Sequence, residues 1–324
     1  MVGQYEILDP IRDDLAHVEA KLRERPQVEY QILSTAVEHL LSSGGKRIRP
    51  ALVIFAYRLY SREITPQAVS LAAAVEMLHT ASLVHDDLID GALLRRGTPT
   101  LNAAWTPGAT ILTGDYLFAR AADLAAQAGD LRVMRLFADT LMTICTGELK
   151  QQFSDLDARV RRDDYYARIY AKTASLITLA TEAAGVLCAV PEEQVTALRE
   201  YGYNLGMAFQ MVDDVLDFVG DESHLGKPVG SDLRQGLVTL PALCYLERHP
   251  GDELMLRILR NGRGSDEDIR CAVTLIRESG ATEIALEEAR GFAHRSLTAL
   301  ERLPAGSPRQ ALQDLTEFVV QRRN

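Results

Sequence analysis

The sequence predicts an all-α fold in one domain, and three features point to it. Apolar residues recur at three- and four-residue spacing along most of the chain, the period of a helix that buries one face. Alternating apolar and polar runs closed by hairpin dipeptides, the pattern of strands, are absent. Pro10, Pro26, Pro50, Pro66, Pro99, Pro107, Pro191, Pro250, Pro304 and Pro308 fall between the periodic segments or at their starts, where a missing N–H is tolerated.

In chain order, helical periodicity covers residues 11–22, 30–41, 51–60 and 69–89 and continues to the C-terminus, with long central segments. Pro228 and Pro241 flank a loop-to-helix passage, while Asn261-Gly262-Arg263-Gly264-Ser265 and Pro304-Ala305-Gly306-Ser307-Pro308 read as loops. No Ser- or Gly-rich linker divides residues 1–324, and no fixed repeat period suggests a solenoid.

With 324 residues, 47% of them hydrophobic, the chain is long enough to bury a large core. A net charge of -10 with no basic face argues against nucleic acid as a partner, so an anionic substrate needs local cations or metal. Cys145, Cys188, Cys244 and Cys271 are widely spaced with largely apolar neighbours, which predicts buried free thiols in a reducing compartment and no zinc site. The first residues do not read as a signal peptide. Apolar stretches such as 69–75 and 176–190 read as too short or too interrupted to span a bilayer. The expected location is cytoplasmic, without stable membrane insertion.

Two distant apolar segments carry the same acidic spacing, Asp86-Asp87-Leu88-Ile89-Asp90 and Asp213-Asp214-Val215-Leu216-Asp217. On a helix the first and last Asp of each copy share a face and the middle one lies beside them. Such carboxylates repel unless a cation neutralises them, and Mg²⁺ does so through one or two carboxylates plus substrate phosphates. One copy alone most often marks a solvated helix face. Two copies inside apolar segments favour metals that hold a diphosphate.

Cations accompany the acids. Gly44-Gly45-Lys46-Arg47-Ile48-Arg49-Pro50 places three of them within four residues, read either as an anion site or as a helix C-cap with basic neighbours. Arg95-Arg96-Gly97-Thr98-Pro99-Thr100 follows the first triplet, and guanidinium groups bind phosphate bidentately. His79 lies seven residues before Asp86, two turns back, and is a candidate phosphate donor, whereas His85 reads as structural. Lys172 appears as a lone cation in an apolar helix next to Thr173, and either an anionic partner or snorkelling to solvent accounts for it. Gln210 precedes Asp213 by about one turn, and Lys227 follows the second triplet as the Arg pair follows the first.

Together, residues 44–50, His79, residues 86–90 with 95–100, Lys172-Thr173 and residues 206–217 resemble the trans-isoprenyl diphosphate synthases, in order and spacing from about residue 40 to 245. Gly114-Asp115-Tyr116-Leu117, Gly147-Glu148-Leu149-Lys150-Gln151 and the C-terminal stretch 315–321 support the match. The resemblance implies a helical bundle of the isoprenoid synthase type with a central cavity between long helices. It also implies head-to-tail condensation of an allylic diphosphate with isopentenyl diphosphate. Asp86, Asp90 and Asp213 would coordinate Mg²⁺, three ions by analogy, with Asp87, Asp214 and Asp217 completing the clusters. Arg95, Lys172, Gln210 and Lys227 would hold the allylic diphosphate, and Lys46, Arg49, His79 and Arg96 the isopentenyl diphosphate. Lys172, Thr173 and Gln210 would also steady the carbocation. Where short-chain members carry Gly-Lys ahead of Thr, this chain has Gly236-Leu237-Val238-Thr239, which marks a subgroup.

Ala81 and Ser82, five and four positions before Asp86, are small and leave the tail path open, and Leu78 and Val75 farther down are not large stoppers. A product of C20 or longer is expected. A terpene cyclase or head-to-head synthase is the alternative, but it has no use for the Lys46/Arg49/His79 pocket. The resemblance also implies a homodimer, or a catalytic subunit with a small partner, and transient delivery of product to a membrane.

Overall fold

Thr-Pro pairs open two of the long helices. Thr65 Oγ accepts from Ala68 N at the start of α5, and Thr106 Oγ from Ala109 N at the start of α7, each followed by a proline that needs no N–H partner. The computed structural model describes residues 4–24, 31–42, 45–95, 97–153, 161–220, 229–261 and 264–322. The first half comprises α1 (Gln4–Leu8), a 3-10 turn (Asp9–Ile11), α2 (Arg12–Arg23), α3 (Gln31–Ser42), α4 (Ile48–Arg58), α5 (Pro66–Ile89), α6 (Leu101–Ala104), α7 (Pro107–Ala126) and α8 (Leu131–Phe153). Then follow α9 (Arg162–Ile169), a π-helical turn (Tyr170–Ala174), α10 (Ser175–Leu187), α11 (Glu192–Val219), α12 (Ser231–Arg234), α13 (Leu240–Arg248), α14 (Glu253–Asn261), α15 (Asp266–Glu278), α16 (Ala281–Leu300) and α17 (Ser307–Gln321). Among the described residues the strands are β1 (Leu94–Arg95) and β2 (Thr98–Pro99), a two-residue antiparallel ribbon. The all-α expectation holds.

The chain divides into two compact units. One contains residues 1–141, 176–199 and 300–314. Its centre is α5, packed by α2, α4 and α7. Residues 70–78 of α5 and 50–57 of α4 are buried without interruption, and each large aliphatic side chain there contributes about 1.5–3 kcal/mol of transfer free energy. Gly114 lets α7 approach α5, since a Cβ there would lie 2.5 Å from the His85 ring. That ring stacks on Phe118 at 5.0 Å and lies 3.3 Å from Asp115, so His85 is structural, as expected. Contrary to the expectation from the apolar stretches, α5 is long and apolar enough to cross a membrane by length and composition, but 72% of its most apolar window is buried inside the protein.

The second unit contains residues 142–175, 200–299 and 315–324. Met207, Met211, Val215 and Phe218 of α11 anchor its core with Tyr165, Leu243 and Ile276. Arg162 of α9 joins Glu247 of α13 and Glu288 of α16 in one ion network. The π-turn is held between two glycines: a Cβ at Gly147 would lie 2.4 Å from Ala171 Cβ, and one at Gly206 2.5 Å from Ala174 Cα.

All four cysteines are free, but only Cys244 is buried. Cys188 is half-buried, and Cys145 and Cys271 are exposed, which corrects the expectation of buried thiols. Cys145 shares an outer stripe of α8 with exposed Met142, Leu149 and Phe153, so its apolar neighbours mark a surface rather than a core.

Candidate active site

The first triplet ends α5. Asp90 is the last-turn cap, its N–H donating to Asp86 O at 2.8 Å, and Gly91 at φ +63 turns the chain away. Asp86 is half-buried and Asp90 exposed, one turn apart on one face. Asp87 points elsewhere: it is buried and accepts from Arg95 Nε at 2.8 Å, with Arg95 Nη2 at 2.7 Å from the same oxygen. Arg95 on β1 is thus committed in part to the middle Asp, and its remaining N–H groups are those left for phosphate. Arg96 lies outside the described residues.

Four and five residues before Asp86, Ser82 is half-buried and donates to His79 O at 2.8 Å, while Ala81 and Leu78 are fully buried. His79 is half-buried on the same helix.

The basic loop separates its three cations by role. Lys46 is exposed and Arg49 half-buried in the first turn of α4, but Arg47 turns inward. Its backbone is left-handed, φ 48 and ψ 30, a conformation that costs a non-glycine residue about 1–2 kcal/mol. Arg47 Nη1 donates to buried Glu76 of α5 at 2.9 Å, Nη2 to Leu41 O at 3.2 Å, and Nε to Glu19 of α2. Burial opposes the charge, and Glu19 and Glu76 outweigh it, holding the guanidinium above its ordinary pKa. Gly44 lies outside the described residues.

In the second unit, Asp213 is half-buried and lies 2.6 Å from Arg322 Nη2. The Arg322 guanidinium also donates to Phe209 O at 2.9 Å and stacks 4.1 Å over the Phe209 ring. Burial lowers its pKa, and Asp213 works against that shift. Asp214 is buried, accepting from Tyr165 OH at 2.7 Å and Gln210 Nε2 at 2.8 Å. Desolvation, then the charge of Asp232, pushes its carboxyl well above the usual range. Asp217 is buried, accepting from Ser231 Oγ at 2.7 Å and Asp232 N at 3.2 Å.

Thr173 in the π-turn donates to Gln210 Oε1 at 2.6 Å, so the amide of Gln210 links Thr173 to Asp214. Both accounts of Lys172 find support: its side chain is exposed, and its ammonium lies 3.3 Å from an acid, Glu148. Lys172 sits in the π-turn, where the Ser175 N–H reaches back to Tyr170 O. Lys227 lies outside the described residues.

Against known proteins, the polyprenyl synthetase family matches residues 30–276. The chain belongs to this family. It is therefore a prenyltransferase of isoprenoid biosynthesis. The chain is 38% identical to heptaprenyl diphosphate synthase component 2 of Geobacillus stearothermophilus over 96% of this chain and 97% of the relative. It superposes with TM-score 0.93 on a polyprenyl synthase from Caulobacter crescentus complexed with calcium and isoprenyl diphosphate, at 36% identity and covering 99% and 98% of the two chains. A decaprenyl diphosphate synthase from Rhodobacter capsulatus gives 0.92 at 37% identity, covering 99% and 100%. The isoprenoid synthase fold is thereby shown.

For this polyprenyl synthetase, sequence reasoning passed over Glu76, Tyr165 and Arg322. Glu76 carried a signal: it is the one Asp, Glu, Lys or Arg between Pro66 and His85, and an acid in an apolar helix needs a cation. Arg322 carried none, since nothing in the local pattern ties it to Asp213.

Proposed function

We propose that this polyprenyl synthetase condenses isopentenyl diphosphate head-to-tail with an allylic diphosphate, with Mg²⁺, to give a trans-polyprenyl diphosphate of C20 or longer. The layout of α5 carries the reading: acids at its C-terminal end, and small Ala81 and Ser82 one turn behind them. The names of the heptaprenyl and decaprenyl relatives support the long product.

The donor set suits a hard divalent cation. Asp86 and Asp90 offer carboxylate oxygens one turn apart, and Asp213 already attracts a guanidinium. Among the described residues no three His, Cys, Asp or Glu side chains form a cage by themselves, so substrate phosphate and water would complete the coordination. Asp86, Asp90 and Asp213 would hold the metals, three by family analogy. When bound, they supply positive charge for the departing diphosphate.

The chain's own residues do the rest. Arg95 and Lys172, with Lys227, hold the allylic diphosphate, and Lys46, Arg49, His79 and Arg96 hold the isopentenyl diphosphate. The allylic C–O bond breaks with its electron pair leaving on diphosphate. The isopentenyl double bond attacks the cation, and a proton passes to the departed diphosphate, leaving an allylic product one C5 unit longer. Thr173 and Gln210 present oxygen dipoles that steady the cation in a dry site. Asp87, Asp214 and Asp217 have protein partners, and we assign them to positioning their neighbours.

Purified protein with Mg²⁺, isopentenyl diphosphate and separate C5, C10, C15 or C20 primers is expected to give products of C20 or longer, and chelation to abolish them. Turnover to a cyclised hydrocarbon would refute the reading. The exposed stripe Met142, Leu149 and Phe153 on α8 supports a homodimer. The name of the Geobacillus relative, a component 2, favours a second reading in which a small partner is required. Activity of the chain alone would exclude it.

A further inference from the structure

Arg47 is the least expected cation in the molecule. It adopts a left-handed backbone that its surroundings must impose, and its guanidinium reaches two acids from two other helices. Glu19 on α2 also lies 3.8 Å from Arg23, which pairs with Glu38 of α3. An alternating chain Glu38, Arg23, Glu19, Arg47, Glu76 thus ties α2, α3, the basic loop and α5 together. Its inner end is the most buried: the Glu76 side chain is 6% exposed and that of Arg47 18%.

The two residues flanking this anchor are Lys46, directly before it, and Arg49, two positions after it. Glu76, the partner of Arg47, stands one turn before His79 on α5. One ion pair therefore sets the spacing between a loop with two cations and the helix that bears the third member of the same pocket. A cation with this spacing is worth much only if it is held, because a flexible ammonium on a free loop gives up entropy on every binding event.

We propose that Glu76 is a positioning residue for the isopentenyl diphosphate pocket: through Arg47 it locks the left-handed turn that presents Lys46 and Arg49 opposite His79. Glu76 itself touches no substrate. The inference rests on the pocket assigned above, and the experiment separates the two.

Steady-state kinetics are measured for Glu76→Gln, Glu19→Gln and Lys46→Ala, varying each substrate with the other saturating. Glu76→Gln is expected to raise the KM for isopentenyl diphosphate about tenfold, the equivalent of one well-placed hydrogen bond. The KM for the allylic substrate and kcat should stay within about twofold, since the acidic triplets are untouched. Glu19→Gln, at the more exposed end, should move the same KM in the same direction by about threefold. Lys46→Ala tests the pocket: an unchanged KM for isopentenyl diphosphate there would sink the assignment of the pocket, whatever Glu76 does. With Lys46→Ala impaired, an unchanged KM in Glu76→Gln overturns the proposal. So does an equal loss in kcat and both KM values, the mark of a purely structural role. If Glu76→Gln does not fold, the same split in Glu19→Gln decides, and its absence overturns the proposal.

Discussion

Replacing Ser82 by Phe should shorten the product. With a rise of about 1.5 Å per residue, Ser82 stands about 6 Å before Asp86 along α5 and Leu78 about 12 Å before it. An extended isoprene unit is about as long as one helical turn, about 5 Å. A tail running from a diphosphate at Asp86 back along α5 therefore passes Ser82 within its second unit and Leu78 within its third. Ser82 is half-buried, and its hydroxyl donates only to His79 O in its own helix, so a ring there should enter the tail path without breaking a long-range contact. Ala81 is fully buried, and Ala81→Tyr risks an overpacking cost of about 1–3 kcal/mol that would confuse the reading. With a C5 primer, whose single unit ends before the ring, Ser82→Phe is expected to stop at about C10, while wild-type protein continues to C20 or beyond. The assay is chain-length chromatography of dephosphorylated products from radiolabelled isopentenyl diphosphate. An unchanged distribution from a variant that melts within a few degrees of wild type would refute the reasoning, because the tail would then not run past Ser82.

Arg322→Ala should destabilise the metal-free protein by about 1–3 kcal/mol, through lost stacking on Phe209 and loss of the ion pair with Asp213; equal melting temperatures would show that the pair contributes nothing. Gly206→Ala is expected to cost about 1–3 kcal/mol in a denaturant melt, because the new Cβ meets Ala174 backbone that cannot swing aside. Burial pushes the Cys188 thiol up to about 12, so at mildly alkaline pH it stays protonated and resists iodoacetamide, whereas exposed Cys271 reacts first. Peptide mass mapping reads the order, and early Cys188 labelling would contradict the burial.

How much of this was legible depended on whether a residue's partner lay nearby in sequence. The helices and the two triplets were legible because period and spacing are local properties. The basic loop was legible as a site but not in its parts: three cations in a row look alike until Glu19 and Glu76, from two other helices, claim the middle one. For Lys172 the sequence left an anionic partner and snorkelling both open, and that partner, Glu148, lay on another helix; the π-turn that carries Lys172 shows only in the packing at Gly147 and Gly206. Arg322 was invisible since its partner Asp213 lies a third of the chain away.

The triplets show why neighbouring acids in one helix do not share one role. Positions i and i+4 lie on one face, but i+1 is rotated by about 100°, so the middle acid must meet a different environment. Both copies give that acid a protein partner: Arg95 for Asp87, and Tyr165 with Gln210 for Asp214. The partners differ in charge, and that difference has a consequence. Asp87 meets a guanidinium, so its neutral replacement would leave Arg95 with a spare charge. Asp214 is held by two neutral donors, Tyr165 and Gln210, in a buried place that raises its pKa. Asp87→Asn should weaken the grip of Arg95 and raise the KM for the allylic substrate, while Asp214→Asn, keeping size and a bond to Tyr165, should be the milder change. Equal kinetic damage from both would show that the two middle acids do the same work, and the distinction drawn from their partners would fall.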